Sequence, residues 1–156
     1  MSIAHRVQDY IAGKNVSWDP VQHPASSTCL QAAHSARLPA GRVAKAVVLK
    51  DEQGYVVAVI GADREVRLGE VSGALGRRNL RFASERELGR VFDDCKAGAV
   101  PPVGQAYGIP TVWDESLADK PDIYFEAGDH RTLVHMKGAD FGELMRSAHP
   151  LRQPVV

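Results

Sequence analysis

Three consecutive segments carry the strongest structural signal in this 156-residue chain: Val43-Ala-Lys-Ala-Val-Val-Leu-Lys50, Asp51-Glu-Gln-Gly54 and Tyr55-Val-Val-Ala-Val-Ile60. The first and third segments are rich in valine and other residues that favour β-strands. The four residues between them contain a glycine and are short enough to form a hairpin turn. The sequence therefore predicts two antiparallel strands here, around which the rest of the fold is arranged.

Helices and further strands are predicted on both sides of this hairpin. Amphipathic spacing and capping signals predict five helices. Three of them span residues 3–13, 66–76 and 138–147; the other two run from a cap at Ser26–Thr28 to about residue 37 and from Ser84 to about residue 95. Strands are expected at 111–113, 123–126 and 133–136, and a short extended segment, interrupted by Pro20, at 16–23. Because these elements show no regular βαβ alternation, we expect an α+β domain with a mainly antiparallel sheet. We expect one domain over residues 1–149 and a loose tail over 150–156.

The composition is that of an ordinary globular domain. Hydrophobic residues make up 44% and charged residues 24%, which excludes a disordered tail, a collagen-like rod and a coiled coil. The apolar runs fall far short of the roughly 18–20 residues that span a bilayer, and the first ten residues lack the apolar region of a signal peptide. No HExxH, GxSxG, GxGxxG or Walker motif is present, and the two cysteines lack CxxC spacing. We therefore expect a cytoplasmic protein without membrane segment, metal or cofactor.

Charge is unevenly distributed along the chain, although 19 basic and 19 acidic residues cancel overall. Residues 37–90 contain eleven Lys/Arg and seven Asp/Glu, whereas residues 91–145 contain four and ten. Such a chain can present a cationic face to a polyanion while remaining neutral. Arg77, Arg78 and Arg81 are candidates for binding nucleic-acid phosphates. A solvated basic surface is the alternative interpretation.

Lys45 is the most informative single residue. Period-2 alternation within the first predicted strand places it on the same face as Val43, Val47 and Leu49. Lysine is almost never fully buried unless it is paired. Either its side chain reaches solvent at the edge of the strand, or its ammonium group is held at a cavity where it orients an anionic or carbonyl group.

A second candidate is the glycine–proline loop Gly98-Ala-Val-Pro-Pro-Val-Gly104. Glycine lets the backbone approach a ligand closely, and the two prolines stiffen the loop while removing two N–H donors. The remaining N–H donors are able to point at an oxyanion; they belong to Gly98, Ala99, Val100, Val103 and Gly104. The alternative is an ordinary turn.

His130 is a third candidate, because it lies in a loop between two predicted strands, where functional residues are frequent. The other histidines, His23 among them, are interpreted as ordinary surface or core residues. Cys29 and Cys95 are interpreted as small hydrophobic residues and not as catalytic thiols.

Taken together and in this order, these features resemble the YbaK/prolyl-tRNA-synthetase-associated domain family of bacterial trans-editing aminoacyl-tRNA deacylases. The resemblance rests on Ala44-Lys-Ala-Val-Val-Leu49, Gly98–Gly104, Ile109-Pro-Thr-Val112, Gly128-Asp-His130 and Phe141-Gly-Glu-Leu144. It covers roughly residues 3–147. The joint order and spacing of these motifs are more specific than any one of them.

The resemblance implies a six- or seven-stranded, barrel-like mixed sheet with flanking helices. It also implies hydrolysis of the ester that joins a wrong amino acid to the 3′ end of a tRNA. The invariant lysine of the family corresponds to Lys45, its GxxxP loop to Gly98–Pro102 with an extension to Gly104, and a loop histidine to His130. Pro101 stands where the family has a small residue. The implied partners are mischarged tRNA and a prolyl-tRNA synthetase or another synthetase.

This chemistry needs no protein nucleophile, because an aminoacyl ester is already activated. We expect Lys45 to contact the ester carbonyl or the terminal ribose-phosphate and the loop amides, those of Gly98, Ala99 and Val100 among them, to stabilise the developing oxyanion. Water would be activated by the ribose hydroxyl of the substrate or by His130. A compact substrate pocket is expected from Pro101, Pro102, Val103, Gly104, Ala46 and Val47.

Two other functions are open at this point. The same fold could serve as a non-catalytic module that binds aminoacyl-tRNA or a nucleotide, and such a module would protect the ester. A small-molecule hydrolase or a stress-related binding protein with Lys45 in an apolar cavity would instead act without tRNA.

Overall fold

The computed structural model describes residues 3–24, 29–96 and 99–151. In this part of the chain the helices are α1 (His5–Ala12), α2 (Cys29–Ser35), α3 (Leu68–Leu75), α4 (Glu85–Val91) and α5 (Gly138–Leu144). The strands are β1 (Asp19–Gln22), β2 (Val43–Asp51), β3 (Gly54–Gly61), β4 (Arg81–Phe82), β5 (Thr111–Asp114), β6 (Asp122–Glu126), β7 (Thr132–Lys137) and β8 (His149–Leu151). Short 3-10 turns lie at Ala40–Arg42, Gly104–Tyr107 and Glu115–Asp119.

The strands form one mixed sheet in the order β1-β7-β6-β2-β3-β5-β8, with β4 paired to β2 off this path. The predicted β2–β3 hairpin is its longest pairing, running from Ala44 opposite Gly61 to Asp51 opposite Gly54. The β2–β6, β3–β5 and β5–β8 pairs are parallel and the others antiparallel. The expected α+β fold with a mixed, mainly antiparallel sheet is confirmed.

The sheet has eight strands where six or seven were expected. The additional strands are short: β4 spans two residues and β8 three. Segments of that length are too short to show period-2 alternation in a sequence. Strand β8 also includes the first two residues of the predicted tail, and Leu151 is buried against the α3 side of the sheet. Residues 152–156 lie outside the described ranges.

Local signals place the helices correctly but overestimate their lengths. Helix α4 begins with the predicted capping box, in which the Ser84 hydroxyl accepts a hydrogen bond from the Glu87 amide and the Glu87 carboxylate accepts one from the Ser84 amide. Helix α3 ends at Gly76, whose φ of 64° is the left-handed conformation that favours glycine. The cap predicted at Ser26–Thr28 lies outside the described residues.

Hydrophobic side chains are buried on both sides of the sheet. The large core, on one side, contains residues of α1, α4 and α5 together with Ala44 and Val48 of β2. On the other side lie two smaller groups, which we call the α3 cluster (with Leu49, Ile60 and Val71) and the α2 cluster (with Ala33, Val43 and Ala62). Fully burying a valine or leucine side chain stabilises a fold by about 1.5–3 kcal/mol.

Candidate functional site

Lys45 lies on the side of the sheet opposite the large core. Its neighbours Ala44 and Ala46 pack with the large core, whereas Val43 belongs to the α2 cluster and Val47 to the α3 cluster. Strand alternation therefore places Lys45 between the two smaller clusters, on the face predicted from the sequence. Its side chain is half-buried, and it forms no hydrogen bond or salt bridge with the residues that the structure describes.

The edge of β2 is interrupted beside Lys45. Along the edge away from β3, β2 pairs with β6 at Val43 and Ala44 and with β4 at Leu49 and Lys50. Within the described residues, positions 45–47 have no strand partner on this edge. We call this unpaired stretch of the strand edge the β2 gap.

Glu126 lies at the same end of the gap as Lys45. In the parallel β2–β6 pair, Val43 is opposite Tyr124 and Ala44 is opposite Phe125. One step further along both strands come Lys45 and Glu126, at the point where the pairing ends. Tyr124 packs with Val43 and Phe125 packs in the large core, so alternation puts Glu126 on the Lys45 face.

Two histidines flank the Glu126 carboxylate in the interior. His130 Nδ1 is 2.9 Å from Glu126 Oε2, and His23 Nε2 is 3.5 Å from Glu126 Oε1. The side chains of Glu126 and His23 are fully buried, and that of His130 is 11% exposed. Within the described residues, neither oxygen of Glu126 completes a hydrogen bond of good geometry. A carboxylate in this position depends on the neighbouring imidazoles for its stabilisation.

Burial has a direct effect on the protonation of this cluster. Loss of hydration raises the pKa of Glu126 to about 7, although the nearby His130 acts in the opposite direction. His23 Nδ1 lies 2.7 Å from the Pro24 carbonyl, which can only accept, so that nitrogen carries a proton. The other ring nitrogen of His23, Nε2, is the one that faces Glu126.

The loop that carries His130 is held in an unusual conformation. His130 has a φ of 60°, a left-handed conformation that is uncommon for a residue with a side chain. The Asp129 carboxylate accepts hydrogen bonds from the Arg131 and Thr132 amides and from the Thr132 hydroxyl. These bonds fix the turn, so that the imidazole of His130 is held at Glu126.

The glycine–proline loop approaches the same turn from the side of the large core. The Lys96 amide donates to the carbonyl of Gly128, 2.7 Å away, and Val103 is fully buried in the large core. Gly98 lies outside the described residues. The Ala99 amide donates to the Lys96 carbonyl, whereas the amides of Val100 and Val103 donate no hydrogen bond within the described part of the chain.

Several residues predicted to contact substrate have clear packing roles. Pro101, Pro102, Val103 and Gly104 are all buried. A Cβ atom on Gly104 would overlap the Thr111 hydroxyl and lie 2.9 Å from Val57 Cγ2, so this glycine is required for close packing. The other predicted pocket residues, Ala46 and Val47, lie on opposite faces of β2, so one face of the strand cannot present both.

The three arginines predicted to bind phosphate differ in their environments. Arg77 is 10% exposed and donates hydrogen bonds to both carboxylate oxygens of Asp51 and to the Gly54 carbonyl. The adjacent guanidinium group lowers the pKa of Asp51 to about 2. Arg81 is more exposed and donates to Glu87 at 3.1 and 3.3 Å. Arg78 is exposed.

Sequence reasoning did not identify Glu126 or His23 as site residues. A carboxylate at the end of a strand, four positions before a loop histidine, was the available signal for Glu126. His23 is distant in sequence and reaches the cluster because β1 pairs with β7. Among the described residues, no group of acidic, histidine and cysteine side chains has the arrangement of a metal site. None of the described helices is long and apolar enough to cross a membrane.

The fold is a small α+β domain in which Lys45 and the buried Glu126 lie on one face of the sheet, where the β2–β6 pairing ends. The family model of the aminoacyl-tRNA editing domain matches residues 23–144. The chain therefore belongs to the aminoacyl-tRNA editing domain family, as its sequence motifs predicted.

Similar proteins include parts of larger enzymes. The proline–tRNA ligase of Bordetella petrii is 30% identical over 132 residues, which cover 80% of this chain and 22% of the ligase. The corresponding ligase of Xanthomonas oryzae pv. oryzae is 28% identical over 134 residues, 84% of this chain and 23% of the ligase. The chain thus spans about a fifth of the length of these relatives. A crystal structure described as a candidate trans-editing enzyme for prolyl-tRNA synthetase is 25% identical, covers 96% of both chains and superimposes with a TM-score of 0.78.

Proposed function

We propose that this chain is an aminoacyl-tRNA deacylase that acts in trans and hydrolyses the ester of a mischarged tRNA. Membership of the editing-domain family supports the reaction class. The observation that carries the proposal is the position of Lys45, which lies one register step beyond the β2–β6 pairing, on the same face as Glu126. This arrangement supports the proposal, because a cation and a buried carboxylate share one face of the sheet at the end of the β2–β6 pairing.

The proposed reaction is a direct attack by water. Water adds to the ester carbonyl carbon, and the bond between that carbon and the ribose oxygen then breaks. The proton lost by water is ultimately balanced by the proton gained by the ribose oxygen, which leaves free amino acid and tRNA. Lys45 stabilises the negative charge that develops on the carbonyl oxygen. No covalent intermediate with the protein is required, because the ester is already activated.

His130 is proposed to orient or deprotonate the attacking water. His130 Nδ1 lies 2.9 Å from Glu126 Oε2, so in the proposed reaction the carboxylate would engage Nδ1 and the proton of water would pass to Nε2. The buried Glu126 would then stabilise the imidazolium that forms when the ring accepts a proton. The ribose hydroxyl of the substrate is the other group able to serve as the base.

The glycine–proline loop is proposed to supply further oxyanion donors. The amides of Val100 and Val103 are the candidates within the described residues, since the Ala99 amide is directed at the Lys96 carbonyl. A donor without a partner inside a protein is costly unless a ligand engages it. The loop packs on the large-core side and Lys45 lies on the other, so an ester held between them would occupy the β2 gap.

The decisive experiment follows amino-acid release from a panel of mischarged tRNAs, with wild-type protein, Lys45→Ala and Lys120→Ala. Lys120 is an exposed lysine away from β2 and serves as the matched control. Removing one oxyanion donor from a hydrolase lowers kcat by about 10²–10³-fold. We expect a loss of that order for Lys45→Ala and none for Lys120→Ala.

The same assay separates the competing functions. Full activity of a folded Lys45→Ala variant would refute the assigned role of the lysine. Protection of the ester by the wild-type protein would identify a non-catalytic binding module. Hydrolysis of simple aminoacyl esters at the same rate as mischarged tRNA would identify a small-molecule hydrolase. A synthetase partner is tested by adding prolyl-tRNA synthetase, which should increase turnover if the two proteins act together.

A further inference from the structure

An opening lies between the end of β3 and the beginning of α3. Its lining residues are Ile60, Arg64, Glu65, Val66 and Arg67. Ile60 is the register partner of Lys45 in the β2–β3 pair. Directly opposed residues on paired strands share a face, with Cβ atoms about 5 Å apart. This opening, which we call the arginine cleft, is therefore adjacent to the candidate site.

The two arginines of the cleft have hydrogen-bonding capacity available. Arg64 is 52% exposed and its nearest carboxylate oxygen, on Asp114, is 4.0 Å away. Arg67 is 72% exposed and lies 3.9 Å from Glu70. Both separations exceed hydrogen-bond distance. Each guanidinium therefore retains a planar set of N–H donors, the geometry that binds phosphate in a bidentate manner.

Two of the three arginines predicted from the sequence are less available. Arg77 is nearly buried and directs its donors at Asp51 and Gly54, and Arg81 donates to Glu87. Breaking charge-assisted hydrogen bonds of this kind to bind a phosphate would offset much of the energy gained. The arginine cleft also includes Ile60, which is directly opposite Lys45, whereas Arg81 is opposite Lys50.

We propose that Arg64 and Arg67 bind the phosphodiester that precedes the terminal ribose of an RNA 3′ end. This inference rests on the proposed function and extends it, because it leaves Lys45 to contact the ester carbonyl. Glu65 lines the same cleft and repels additional phosphates. The cleft is therefore suited to one phosphate of a single-stranded end and not to a long stretch of duplex backbone.

A binding experiment tests the phosphate site independently of catalysis. Adenosine 5′-monophosphate and adenosine are titrated against wild-type protein, Arg64→Ala/Arg67→Ala and Arg146→Ala. Arg146 is the control, because it is exposed and pairs with a glutamate three positions away in the sequence, as Arg67 does. It follows α5, on the large-core side of the sheet, whereas the cleft lies on the α3 side. We expect the wild-type protein to bind the monophosphate at least tenfold more tightly than adenosine. That preference should fall toward unity in the double variant and persist in Arg146→Ala.

An unchanged preference in the double variant, or an equal loss in Arg146→Ala, would overturn the assignment. The second measurement is deacylation of mischarged tRNA over a range of salt concentrations. The double variant should have a KM about tenfold higher than wild type, with a smaller change in kcat. The slope of log kcat/KM against log salt should become shallower by about 0.7 for each phosphate that the variant no longer binds. Loss of monophosphate binding without any change in tRNA kinetics would identify a free-nucleotide site and refute the RNA assignment.

The two proposals fail in distinguishable ways. If wild-type protein releases no amino acid from any mischarged tRNA, the proposed deacylase function fails, while the monophosphate titration still tests the cleft. If wild-type protein is active and the double variant has unchanged KM and salt slope, only the cleft assignment fails.

Discussion

Glu126 provides a sharp physical test of the candidate site, because its carboxyl group is enclosed at the end of β6 beside His23 and His130. Burial raises its pKa from an ordinary 4.5 to about 7. The substitution Glu126→Gln keeps the size and shape of the side chain but removes its titration. His23, His130 and Asp129 face the group from the neighbouring segments and are present in both proteins.

The sign and size of the effect follow from proton linkage. The folded protein holds the Glu126 proton more tightly than the unfolded chain, so the contribution of this group to stability is greatest below pH 4.5 and declines as the pH rises to 7. At about 1.4 kcal/mol per pKa unit, the total decline is about 3 kcal/mol. About 2–3 kcal/mol of it falls between pH 5 and pH 8.

We therefore expect the unfolding free energy of Glu126→Gln to rise relative to that of wild type by about 2–3 kcal/mol from pH 5 to pH 8, because wild type loses that much stability and the variant does not. Urea denaturation at one-unit pH intervals measures this difference directly. Glu143→Gln is the control, because Glu143 is exposed and pairs only at the surface with Arg146. Parallel stability curves for wild type and Glu126→Gln would show that the carboxyl group titrates normally and would refute the reasoning.

Two further predictions concern elements that support the site. Gly104→Ala places a methyl group against the Thr111 hydroxyl and Val57. We expect the unfolding free energy measured by urea titration to fall by about 1–3 kcal/mol, and a variant as stable as wild type would contradict the packing argument. Arg77→Ala removes the partner that lowers the pKa of Asp51 to about 2. The Asp51–Arg77 pair stabilises the fold above pH 3.8, and this contribution is lost as the pH falls toward 2. The loss of stability on acidification should therefore be smaller in the variant. An acid profile identical to that of wild type would exclude this pair as a cause of the loss.

Much of the framework could be predicted because it depends on local sequence. The β2–β3 hairpin follows from two β-branched runs around a short turn, and the beginning of α4 follows from the reciprocal capping of Ser84 and Glu87. The face on which Lys45 lies follows from strict alternation along β2. These signals operate within about ten residues, so no knowledge of the tertiary structure is needed to interpret them.

The relationships across the site could not be predicted in the same way. The alignment of Lys45 with Glu126 depends on a parallel pairing between strands about 80 residues apart in sequence. His23 joins the cluster only because β1 pairs with β7. The sequence of β2 does not show which of its faces meets the large core: the face with Ala44 and Ala46 packs there, together with Phe125 of β6 and Phe141 of α5.

Under the proposed function, groups on two sides of one sheet must act on a single ester, and the β2 gap bears on how they could do so. A fully paired strand would separate Lys45 from the glycine–proline loop, because its hydrogen-bonded neighbours would close the sheet between them. Here the pairing of β2 with β6 ends at Ala44 and the pairing with β4 begins at Leu49. Within the described residues, β2 therefore has no neighbouring strand on this edge at positions 45–47. Under the proposed function, the carbonyl lies at the opening, with the ammonium on one side and loop amides on the other. Ala46 lies in the middle of this unpaired stretch, and its small side chain packs against the large core.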